Sequence, residues 1–166
     1  MPQSADARAR ELGLQIPDYA DPPYGLRYGT LRPFHRTGTL LELSGLTPEL
    51  RDGTLIHPGT VGVDVSIEEA YAAARATGLN ALGMIRYALG SLDEVVAISR
   101  GLCFVVCPPG FSELHAVSNG VSDLFVEVFG REVGAMGRAS IGSTALSNNH
   151  CFELWLSIEC RGSSGS

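Results

Sequence analysis

The chain has 166 residues, 45% of them apolar, and 12 Lys and Arg against 18 Asp and Glu give a net charge of −6. That is enough chain for one core of ordinary size, and it is too apolar for a disordered segment. The basic residues form no cluster of the kind that binds a phosphate backbone, and no window reaches the ~18 continuous apolar residues of a membrane span. Neither nucleic acid nor a membrane is therefore expected as a partner. The opening M-P-Q-S-A-D-A-R-A-R-E is too charged for a secretory signal, which predicts a cytoplasmic protein. Cys103, Cys107, Cys151 and Cys160 form no C-x-x-C, and no His pair completes a zinc-ligand spacing. They read as reduced thiols, with no metal required.

Residues 1–23 read as an N-terminal extension, with a short helix from about Ala5 to Leu12 that ends at Gly13 before Pro17, Pro22 and Pro23. A single domain is expected over 24–161, followed by a flexible tail, 162–166. Leu31 to His35 and Leu40 to Gly45 flank a turn at Arg36-Thr37-Gly38-Thr39, the pattern of a β-hairpin. Residues 47–62 hold Pro48, Gly53, Pro58 and Gly59 and predict a loop, with a short strand at Thr54 to Ile56. Ser66 followed by Glu69 is a capping box. Behind it, Ile67, Ala70, Tyr71, Ala74, Gly78, Ala81, Ile85 and Leu89 recur at helical spacing until Gly90. Val95 to Val106 is dense in β-branched residues and predicts a strand buried on both faces, ended by Pro108-Pro109-Gly110. A second helix spans about Ser112 to Phe129. Two last strands, around Met136 to Leu146 and Phe152 to Cys160, read as a hairpin turning at Asn148-Asn149. The order ββ-α-β-α-ββ predicts an α+β fold, with both helices on one side of the sheet.

The last two strands carry the chemistry. Arg138 opens the first, and Glu153 sits in the second among Phe152, Leu154, Trp155 and Leu156. A carboxylate in so apolar a run needs a partner, and an arginine offers a bidentate fork to a carboxylate of the protein or of a ligand. A structural ion pair and a solvent-facing Glu on an alternating strand are the plainer readings. Hairpin pairing would set Arg138 opposite about Glu159 and Glu153 opposite about Thr144. The two would then be roughly 20 Å apart in one chain. Only a second copy could bring one to the other, as closed cyclic symmetry does.

L-L-E-L-S-G-L (Leu40 to Leu46), the capped helix, G-F-S-E-L-H-A-V-S-N-G-V-S-D-L-F-V-E-V-F-G (Gly110 to Gly130) and G-R-A-S-I-G-S-T-A-L (Gly137 to Leu146) together resemble the Rid/YjgF family. The match runs in order over roughly residues 30–160 and looks closest to the longer, endoribonuclease-like branch. The resemblance implies a chorismate-mutase-like α+β fold with a mixed sheet, assembled as a homotrimer with sites at the subunit interfaces. It implies hydrolytic deamination of 2-imino or enamine acids to 2-keto acids and ammonia, without metal or organic cofactor. Carried over by position, Arg138 would clamp the substrate carboxylate and Glu153 would activate water. Ser44 and Gly45 would line the pocket, Asn119 matches a helix position of the family, and Ser140 stands where many members have cysteine.

The sequence departs from the pattern in places. Leu31 stands at the spacing where family deaminases place a tyrosine, while Tyr24 and Tyr28 lie further upstream and His35 lies nearby. Leu146-Ser147 replaces the usual L-P, and Trp155 replaces an acidic or small residue. His115 and His150 have no family role. Arg138 and Glu153 together favour an imine deaminase. The missing tyrosine favours a trimeric binder of small carboxylates, and a specialised imine- or enol-processing enzyme of a biosynthetic pathway is a third reading.

Overall fold

The computed structural model describes residues 4–20 and 29–162. Its elements are α1 (Ala5–Glu11), β1 (Phe34–Thr37), β2 (Leu40–Leu43), α2 (Ile67–Leu89), β3 (Val95–Val106), α3 (Leu114–Phe129), α4 (Arg131–Gly134), β4 (Gly137–Ser143) and β5 (Phe152–Cys160). The strands form one mixed sheet in the order β1-β2-β5-β3-β4. Helices α2 and α3 cover one face, as anticipated.

The capping box forms as predicted. Ser66 accepts from the Glu69 backbone N–H at 3.1 Å, and the Glu69 carboxylate accepts from the Ser66 N–H at 2.8 Å. Gly90, with φ of 85°, ends the helix in the left-handed conformation that favours glycine. The small residues of α2 let it lie hard against α3. A Cβ at Gly120 would stand 2.2 Å from the Tyr71 carbonyl oxygen and 2.9 Å from the Arg75 nitrogen, so the two backbones meet there. On the outer side, Tyr71 donates to Asp123 at 2.8 Å, and Arg75 grips Glu127 at 2.5 and 3.2 Å.

Strand β5 alternates strictly. Phe152, Leu154, Leu156, Ile158 and Cys160 are buried beneath the helices, while Glu153, Trp155, Ser157 and Glu159 face the other way. Among the described residues nothing covers the second face of the sheet. Strand β3 is accordingly not buried on both faces: Val96, Ser99 and Arg100 are exposed, and Leu102 and Phe104 are half-exposed. Its β-branched run matches a half-buried strand equally well.

The final strands are not a hairpin. Strand β4 pairs in parallel with β3, Arg138 beside Gly101, and β5 pairs antiparallel on the other side of β3, Leu156 beside Gly101. A parallel pair needs a long crossover, and α3 supplies it. Asn148 (φ 55°) and Asn149 (φ 60°) do turn the chain, but into a strand two places away. Elsewhere the differences are small. Arg36 and Thr37 belong to β1, the turn lies at Gly38-Thr39, and the strand expected at Thr54 to Ile56 is a single bridge between Glu49 and Leu55.

Residues 4–20 are tied to the rest. Ala9 and Tyr19 are buried, and Asp6 accepts from Arg86 at 2.7 Å, from Ser91 at 2.6 Å and from the Leu92 N–H at 3.1 Å.

Two contacts fix the stretch after β2. The buried Asn80 side chain donates to the carbonyls of Thr47 and Glu49, both at 2.9 Å. The buried His150 Nε2 lies 3.4 Å from Glu49 Oε2. Asn80→Leu would leave two buried carbonyls without that donor and should cost about 3 kcal/mol in urea unfolding. A loss below about 1 kcal/mol would mean that the stretch holds itself in place.

Candidate functional site

Strand β4 has Arg138 and Ser140 on the helix-side face, against α3. Arg138 donates through Nη1 alone, to Asn119 Oδ1 at 3.0 Å and to Ser122 Oγ at 2.7 Å. Ser140 donates to Ser118 Oγ at 2.8 Å. Ser118, Asn119 and Ser122 share one flank of the helix because residues three and four apart face the same way. Cys103, beside Ser140 across the β3–β4 ladder, is buried. Burial pushes its thiol above the ordinary cysteine value, against the opposing pull of Ser118 and Arg138.

The second cluster forms where β2 runs out. Between the Glu42–Ser157 pairing and the Leu46–Leu154 bridge, the first chain advances four residues and the second only three. One residue bulges, and the bulge sets Gly45 against Glu153. Glycine is needed there for space: an added Cβ would stand 2.3 Å from Glu153 Oε1 and 2.9 Å from Trp155 Nε1. Trp155 donates to Glu153 Oε1 at 2.6 Å, and its ring tilts against Phe104 at 5.4 Å between centroids. The Ser44 hydroxyl donates to the Arg32 carbonyl, and the Ser44 N–H donates to Pro33 O at 3.0 Å. Ser44 therefore pins this end of β2 to the residues before β1.

The structure thus brings together Arg138, Asn119 and Ser140, and separately Glu153, Gly45 and Ser44. It does not bring the two groups together within one chain. Glu153 is three residues from Leu156, which lies level with Arg138 across β3. Two strand spacings and three residues of rise put their Cα atoms about 14 Å apart. An odd offset also places their side chains on opposite faces. The separation is shorter than the roughly 20 Å a hairpin would give, since β3 lies between the two strands. Among the described residues, no carboxylate pairs with Arg138 and no cation pairs with Glu153.

The description "YjgF/chorismate mutase-like, putative endoribonuclease" matches residues 6–157. The chain belongs to the Rid/YjgF family. Protein TCP17 of Trypanosoma cruzi is 34% identical over 153 residues, 92% of either chain. The crystal structure of Atu1372 from Agrobacterium tumefaciens, a protein of unknown function, superposes with a TM-score of 0.82 at 32% identity, covering 95% of this chain and 94% of that one. The crystal structure of a protein of Shewanella oneidensis MR-1 described as a "putative endoribonuclease" gives 0.85 at 29% identity, covering 95% of this chain and 99% of that one.

Within this Rid/YjgF chain, Tyr24 and Tyr28 lie outside the described residues. Leu31 and His35 are exposed, His35 pairing with Glu42 across the β1–β2 ladder. His115 is exposed 3.9 Å from Glu113. The sequence pattern does not mark Ser118, Ser122 or Cys103 as neighbours of Arg138 and Ser140. Ser122 was within reach, because Asn119 and Ser122 are three apart in a helix, whereas Cys103 needed the parallel register. Among the described residues, no group of three or more His, Cys, Asp or Glu side chains could hold a metal ion, and no helix is long and apolar enough to cross a membrane.

An added Cβ would displace both the Glu153 carboxylate and the Trp155 N–H that meets it, so Gly45→Ala should lower the unfolding free energy by about 1–2 kcal/mol. It should also shift the emission of Trp155, the only tryptophan of the chain. Unchanged emission would show that Gly45 and Glu153 are not in contact in solution.

Proposed function

We propose that the protein hydrolyses reactive 2-imino and enamine acids to 2-keto acids and ammonia, at sites assembled between copies of the chain as a closed homotrimer. The observation that carries this reading is Arg138. It is a half-buried guanidinium with no acidic partner among the described residues, steadied through one nitrogen by the neutral Asn119 and Ser122. A cation held this way, with the rest of its fork uncommitted, suits a ligand carboxylate. Glu153, also without a counter-charge on the opposite face, is the complementary half. A rotation that repeats head to tail presents the Glu153 face of one copy to the Arg138 edge of the next. The uncovered sheet face, with Leu40, Trp155 and Ile141 exposed on it, supports the same assembly.

The chemistry asks little of the protein. Arg138 holds the carboxylate of a protonated 2-imino acid, and Ser140 and Asn119 line the clamp. Glu153 takes a proton from a water whose oxygen bonds to the imine carbon, and the C=N π electrons move to nitrogen. In the resulting carbinolamine the nitrogen takes back the proton held by Glu153. The C–N bond then breaks and ammonia leaves as the C=O bond forms, and the hydroxyl proton passes to the freed Glu153 carboxylate and on to solvent. The imine carbon is already electrophilic, so orientation and one proton relay suffice. Gly45 and Ser44 shape the wall beside Glu153.

RNA cleavage fits poorly with a net charge of −6 and no basic cluster in the sequence. A binder of small carboxylates without turnover is the second reading, favoured by Leu31 standing where family deaminases have tyrosine.

Light scattering should return about three times the 17.6 kDa of one chain. A monomer at micromolar concentration would end the shared-site reading. An amino acid oxidase generating imino acids in situ tests the reaction through ammonia release with and without the protein. Arg138→Ala should lower that rate more than about a hundredfold, corresponding to ~3 kcal/mol, and Arg138→Lys should not restore it. Glu153→Gln should reduce kcat strongly with 2-keto acid affinity nearly unchanged. No acceleration by wild type across several imino acids would favour the binder.

A further inference from the structure

We propose that Trp155 is a positioning residue that aims the Glu153 carboxylate; the inference rests on the proposed role of Glu153 as the water-activating base. Residues two apart on a strand point to the same face, so Trp155 and Glu153 stand side by side on the uncovered side of β5. Indole has one donor and no acceptor. That single N–H is directed at Glu153 Oε1, at 2.6 Å.

Three contacts hold the indole and the carboxylate in this arrangement. Phe104 tilts against the Trp155 ring at 5.4 Å, the bulge at Gly45 closes over Nε1 and Oε1 together, and the backbone of β5 fixes the spacing. Oε1 is thereby occupied, and Oε2 becomes the oxygen presented to a water. A half-buried but rotatable glutamate would otherwise sample several orientations, and orientation is most of what this reaction needs from its base. A tryptophan serving only to cover apolar surface would have no need to point its nitrogen at the carboxylate. It is half-exposed, at 49%.

The test separates the ring from its N–H. Trp155→Phe retains an aromatic ring against Phe104 and removes the donor. It should remain the same oligomer as wild type, bind 2-keto acid within about twofold, and lose about 10- to 100-fold in kcat. In a Glu153→Gln background the same substitution should cost almost nothing, because the residue acts through Glu153. The contact itself is read without turnover. The chain has one tryptophan, so ¹⁵N-labelled protein gives one indole N–H cross-peak, which should move upfield in Glu153→Ala.

A cross-peak unmoved by Glu153→Ala overturns the proposal whether or not the protein is a deaminase. A cross-peak that moves, with Trp155→Phe turning over like wild type or losing as much in the Glu153→Gln background, overturns the positioning role and leaves the deaminase reading standing. A wild type that hydrolyses no imino acid overturns both, even where the cross-peak moves.

Discussion

A sheet stands between the two charged residues on which the proposed function depends. Strand β3 separates the strands of Arg138 and Glu153, and the alternation of side chains sends one toward the helices and the other away from them. No rotamer can cure that, because the obstacle is the backbone ladder itself. Each charge keeps neutral company instead: Asn119 and Ser122 on one side, the Trp155 N–H on the other. Compact packing of α2 on α3 over one face follows from the same division of labour. That face makes the core, and among the described residues no such layer covers the other.

Much of the fold was readable because it is local. The capping box at Ser66, the glycine stop at Gly90 and the periodic apolar residues between them fix α2 by short-range hydrogen bonding and burial alone. The strand from Val95 to Val106 is likewise marked by composition. Which strand lies beside which is a different matter, since pairing partners come from far along the chain. Adjacent strands joined by an Asn-Asn turn invite a hairpin. The better clue was chemical. G-R-A-S-I-G-S, polar and glycine-rich, suits an edge, whereas F-E-L-W-L-S-I-E-C, with five buried side chains in nine, suits the middle of a sheet.

The site was legible as residue types and only in part as geometry. Arg138 and Glu153 stand out because each is a charge where a strand normally holds neutral residues. The bulge that seats Gly45 beside Glu153 could not be read, because one extra residue between two pairings leaves no trace in a single strand's pattern. In the sequence Gly45 reads as the end of the second hairpin strand and, by resemblance, as pocket lining. Its purpose is instead room for a carboxylate and an indole.

The strand order also dictates when the sheet can come into being. Strands β1 and β2 pair with each other, as do β3 and β4, but neither pair touches the other except through β5. Of the described strands, β5 is the last to be synthesised. Until it inserts, the chain holds two narrow ribbons, each exposing an apolar edge, and a two-stranded ribbon is marginal by itself. The final strand is thus the keystone of folding. A ribosome-bound chain that has not yet released it carries open edges ready for β pairing with a neighbour, the circumstance in which nascent β proteins depend most on being shielded.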